Sequence, residues 1–137
     1  MAKIFVLRKG TSITDEILEI ATRDSVKTAR VEAIGGVDHL NVAYFNLREK
    51  RYEEHRYDEF LEVTSMLGNI TTKDGKPFLH VHGNFGRSDM SVIGGHIISA
   101  MVSPTLEVIL TPTTNVAIRR LDEESGLNLV SETQEKT

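Results

Sequence analysis

Three of the chain's five histidines fall within seventeen residues, at His80, His82 and His96. The run Phe78 to Gly83, FLHVHG, reads as a strand, so alternate side chains share a face and His80 and His82 stand together, about 6–7 Å apart at the backbone. Leu79 and Val81 then point the other way. Two imidazoles so placed can converge on one cation, and His96, directly after Gly94-Gly95, is positioned to supply a third. Three neutral imidazoles suit Zn²⁺ best, with Ni²⁺, Cu²⁺ or Fe²⁺ as alternatives, and the fourth position would fall to water or to a carboxylate such as Glu62, Asp89 or Glu107. The same spacing also fits histidines satisfied in a core or at an interface.

Other residues near this stretch offer less. Gly83-Asn84-Phe85-Gly86-Arg87 lacks the spacing of a dinucleotide loop and the Lys-Ser/Thr of a phosphate loop. Arg87 and Asp89 fit an ion pair across a turn, or Arg87 faces an anionic ligand beside the metal. Ser88, Ser91 and Ser99 sit in no nucleophile-elbow pattern, which argues against a serine hydrolase. Water on a zinc ion is a competent nucleophile near neutral pH, so metal-dependent hydrolysis or lysis stays open. His39 and His55, remote in sequence, read as surface residues.

The whole chain sets the limits. Its 137 residues fit one domain, and 39% hydrophobic with 26% charged residues is the balance of a globular protein. There is no cysteine, which removes disulfides, thiolate nucleophiles and sulfur-ligated zinc. The net charge of −4 disfavours a polyanion partner, because phosphate neutralisation supplies most nucleic-acid affinity. The basic residues that could form a local patch are Lys3, Arg8 and Lys9, or Arg48, Lys50, Arg51 and Arg56, the latter interleaved with Glu49, Glu53 and Glu54. No run approaches a membrane span, and MAKIFVLRKG reads as a first strand rather than a signal peptide, so the expected location is cytoplasmic.

The elements that would position the histidines follow from pattern. Lys3 to Leu7 predicts a strand. Ser12 predicts a helix cap, with Asp15 and Glu16 in the first turn and Ile13, Ile17, Ile20 and Ala21 at helical spacing. From Thr28 the alternation predicts a strand that Gly35-Gly36 turns into a hairpin. Leu40 to Leu47, Tyr52 to Tyr57 and Glu62 to Ile70 predict further strands, the last pairing with the histidine strand across Lys73-Asp74-Gly75-Lys76-Pro77. Leu106 to Leu110, Val116 to Leu121 and Leu127 to Val130 complete the set, and residues 131–137 read as a frayed polar tail after a domain of residues 1–130. The expected architecture is α+β: one mixed, mainly antiparallel sheet flanked by one or two helices.

Taken together, Gly35-Gly36, Tyr44, Tyr52, Glu62 to Asn69 (EVTSMLGN), Pro77 to His82 (PFLHVH) and Gly94-Gly95-His96-Ile97 resemble the plants and prokaryotes conserved (PPC) domain over about Lys3 to Leu121. The resemblance implies a compact α/β fold assembled as a homotrimer. It also implies a bound divalent metal, as in prokaryotic relatives, falling here on His80, His82 and His96. In plants the domain follows an Arg-Gly-Arg-Pro hook that reads the DNA minor groove, and the family carries a DNA-binding label for that reason; this sequence has no such element. Two functions result: a metal-binding interaction or regulatory module, and, as the alternative, a hydrolase or lyase using the same ion, with Glu62, Arg87 or Asp89 handling ligand or proton.

Overall fold

Strand β5, Lys76–Gly86, sits between β4, Leu61–Lys73, and the start of β6, Val92–Pro112, and its alternation is the one expected. Val81 and Phe85 are buried while His82 and Asn84 are exposed on the opposite face. β4 and β5 form an antiparallel hairpin closed by Asp74-Gly75, both at positive φ, the backbone that a tight two-residue turn between twisted strands requires. These elements belong to a computed structural model that describes residues 1–136.

The remaining elements in chain order are β1 (Lys3–Arg8), α1 (Ile13–Arg23), β2 (Ala29–Asn46), β3 (Arg51–Tyr57), β7 (Asn115–Leu121) and β8 (Asn128–Glu135). The sheet curls on itself: β2 pairs with both β6 and β4, and β6–β5–β4 completes the circuit. β1 joins β6, β3 joins β2, and β7 runs parallel to β4 while pairing antiparallel with β8. The architecture is thus the expected mixed, mostly antiparallel sheet.

Helix α1 begins as predicted. The Ser12 hydroxyl accepts from the Asp15 amide, Asp15 and Glu16 occupy the first turn, and Ile13, Ile17, Ile20 and Ala21 are buried. The helix lies against β5 and β6, and its isoleucines join Phe85, Val81, Val102 and Leu106 in one core.

Three expectations on the elements are corrected. Gly35-Gly36 does not turn the chain; β2 runs through it as one strand with a register shift on each side. Gly35 has φ +148°, and a Cβ there would lie 2.3 Å from the Thr105 carbonyl oxygen, so the glycine lets two backbones meet at a bulge. Leu106 to Leu110 is the end of the 21-residue β6 rather than a separate strand. The chain from Ser131 continues in β8 to Glu135, because backbone pairing with β7 holds it without apolar side chains; Thr137 lies outside the described residues. Among the described residues α1 is the one α-helix, so the second helix is not seen.

Candidate metal centre

Strand register assembles the histidines. His82 lies directly opposite His96 across β5–β6, and His80 stands two residues back on the same face of β5. The approach of β6 depends on Gly95, where a Cβ would meet the Ala43 carbonyl oxygen at 2.8 Å. The Nε2 atoms of His80 and His82 are 3.1 Å apart, and one nitrogen from each of the three rings lies within 4.8 Å of the others. Among the described residues this is the one group of three metal-competent side chains.

The donor set fits a divalent ion. A tetrahedral zinc site with Zn–N near 2.05 Å has edges of about 3.4 Å, so the first pair already matches and the third ring closes by side-chain rotation. Burial, reinforced by the His80 and His82 neighbours, pushes the His96 imidazole down to about 4. Burial also lowers His80, with the Arg119 charge and His82 acting the same way. Both rings are therefore neutral near pH 7, as metal ligation demands. His96 Nδ1 is buried without a hydrogen-bond partner among the described residues. Leaving such an atom unpaired costs about 1–3 kcal/mol. Tyr52 stacks on the His96 ring, centroids 4.6 Å apart, and fixes its plane.

The residue that sequence reasoning missed is Arg119, on β7. It donates from Nε to the Thr71 hydroxyl at 2.7 Å, from Nη1 to the Asn128 carbonyl at 2.7 Å, and from Nη2 to Asn69 Oδ1 at 3.0 Å and His80 Nδ1 at 3.2 Å. Arginine only donates, so His80 Nδ1 accepts and the ring proton resides on Nε2. Burial lowers the Arg119 pKa, with Tyr52 opposing. The signal available in sequence was weak: Arg119 is one of two adjacent arginines in the run NVAIRRL, and nothing in the pattern marks it as the buried one. Tyr52 and Asn69, quoted above for the resemblance, both stand at this site.

The expected helpers lie elsewhere. Arg87 bonds Glu59 at 2.6 Å rather than Asp89, and its guanidinium lies over the Tyr57 ring. Asp89 accepts from the Ser91 amide and hydroxyl. Glu62 is exposed beside Phe60 and Gly36, and Glu107 is exposed on β6. None of them lines the histidine pocket. His39 contacts Asp38 at 3.0 Å, and His55 is exposed on β3. In the basic region, Arg51 is spent on Glu49. No helix among the described residues is long and apolar enough to cross a membrane.

No curated protein matches the chain in sequence. Among solved structures, a metal-containing protein from Archaeoglobus fulgidus is 32% identical, with 96% of this chain and 94% of that one covered at a TM-score of 0.90. A candidate DNA-binding protein from Bacteroides thetaiotaomicron is 25% identical, with 95% and 91% covered and a TM-score of 0.91. A plant- and prokaryote-conserved protein from Pyrococcus horikoshii is also 25% identical, with 96% and 92% covered and a TM-score of 0.89. The Plants and Prokaryotes Conserved (PCC) domain model matches residues 2–114, and with that span of match the chain belongs to the family it describes.

Proposed function

We propose that this protein is a homotrimeric, metal-binding interaction or regulatory module, with one divalent ion, zinc by preference, on His80, His82 and His96. The observation that carries the reading is the meeting of three imidazoles, two of them held neutral by their surroundings, at one point of the sheet. The similarity to a metal-containing relative agrees with it. Zinc bound there would supply Lewis acidity and lower the pKa of a water it holds to near 7. The chain's part is to hold the rings in place: Tyr52 stacks on His96, while Arg119, itself bonded to Asn69, donates to His80 Nδ1 and must yield that contact when Nε2 binds the ion.

Assembly is supported by apolar surface. Ile4, Val6 and Ile34 are more than half exposed, and Val6 and Ile34 stand on either side of the exposed Glu107 in one mainly apolar cross-strand stripe. Such a stripe is buried economically by another copy of the chain. DNA binding, suggested by the descriptions of two similar proteins, is opposed by the net charge and by the pairing of Arg51 with an acidic neighbour. The second reading, a metal-dependent hydrolase or lyase, is favoured by the open pocket of about 560 Å³ beside the histidines.

Chelator-stripped, tag-free protein titrated calorimetrically with Zn²⁺ is expected to take up one ion per chain, with affinity falling as pH drops, because ligating imidazoles must be unprotonated. Absence of saturable heat at pH 7.5 would remove the metal centre. Turnover lost on chelation and restored by zinc would move the conclusion to the enzyme reading.

A further inference from the structure

The pocket beside the histidines has a volume of about 560 Å³, within the roughly 300–1,000 Å³ that takes small organic ligands. Phe45, Phe78, Leu127 and Leu129 give it apolar walls, no Asp or Glu lines it, and its one formal charge is Arg119. Arg119 is 6% exposed, yet every partner it has among the described residues is neutral: Thr71, Asn69, His80 and a backbone carbonyl. A buried cation normally meets a carboxylate, because neutral dipoles restore only part of its lost hydration. The chain supplies that partner elsewhere, to the far more exposed Arg51, Arg87 and Arg120. Those four bonds engage four of the five guanidinium N–H groups and leave one on Nη1 among the described residues.

We propose that the pocket binds a small organic carboxylate, its anion on Arg119 and its apolar body against Phe45, Leu127 and Leu129. A single fixed charge matches a monoanion, and apolar walls match a ligand with a hydrocarbon or aromatic body rather than inorganic phosphate. The assignment names a ligand class for the cavity the histidines share, so it deepens the metal reading and rests on it for the role of the site, while the anion contact itself needs no ion.

The probe is benzoate, titrated into chelator-treated and into zinc-treated protein, with benzyl alcohol as the uncharged control and inorganic phosphate as the second anion. Binding is read from the NMR signal of the Arg119 side-chain Nε–H, and zinc uptake is measured on the same samples. Benzoate is expected to shift that signal saturably and to bind at least about tenfold more tightly than benzyl alcohol, the worth of one charge-assisted hydrogen bond. Arg119→Gln should lose that preference, and Arg119→Lys should retain part of it. If Arg119→Gln does not fold, the wild-type shift and the comparison with the alcohol decide. Equal affinity for benzoate and benzyl alcohol, a response to phosphate alone, or an unmoved Arg119 signal in both samples would overturn the proposal. Benzoate binding in protein that takes up no zinc supports the anion site and sinks the metal centre; zinc uptake without benzoate binding does the reverse.

Discussion

The two faces of β5 are one peptide apart and answer to different physics. Val81 and Phe85 are almost fully buried against α1 and β6, where shape and volume decide. His80 and His82 project from the other face, where charge state, tautomer and the distance to His96 decide. The first face makes the strand stay; the second makes it available. Stability and ligand binding should therefore separate cleanly between adjacent residues.

Phe85→Ala sharpens the contrast most. It removes a fully buried ring, and about 3–5 kcal/mol of unfolding free energy should go with it. His82→Ala, at an exposed position, should change stability by no more than about 0.5 kcal/mol. Zinc affinity should reverse the order, with His82→Ala losing more than the roughly 10–100-fold typical of an outer partner and Phe85→Ala, while folded, staying near wild type. Urea denaturation and competition against a chelating dye report the two quantities, and comparable stability losses in both variants would break the comparison.

Arg119 gives a smaller effect with a less obvious sign. Zinc on His80 Nε2 requires the ring proton on Nδ1, where Arg119, which only donates, opposes it. Arg119→Gln offers a carbonyl oxygen instead and removes a nearby cation, so zinc should bind about tenfold more tightly, a typical coupling. The same dye competition checks it. Weaker binding would show that Arg119 supports the ion, and unchanged binding that it does not act on it.

The pH dependence of stability rests on His96. His96 has a folded pKa near 4 against an ordinary 6.5. Between those values the unfolded chain takes a proton that the folded chain refuses, so stability of the metal-free protein falls as pH drops from 6.5 to 4 and this contribution levels off below. Urea midpoints of wild type minus His96→Asn isolate it. A difference that stays flat across the window would show His96 titrating normally.

Local signals were legible where one strand or helix carries its own pattern. Ser12 with the spaced isoleucines marked α1, Asp74-Gly75 marked the hairpin, and the alternation around His80 and His82 marked the polar face. Long-range pairing was not legible. Gly35-Gly36 has the composition of a turn, and only the closeness of Thr105, seventy residues away, shows it to be a bulge between backbones. Arg119 was missed for the same reason: its burial comes from β4 and β5, and nothing local to β7 foretells Asn69, Thr71 or His80 as partners. Arg87 and Asp89 were adjacent enough in sequence to suggest a pair, yet each found a nearer acceptor or donor.

The most direct test of the metal centre is metal per chain in tag-free protein by elemental mass spectrometry, beside the His80→Ala/His82→Ala variant. Near-stoichiometric zinc or a related divalent ion in the wild type, lost in the folded variant, is the predicted result; a wild type without metal, or a variant that keeps it, would contradict the account.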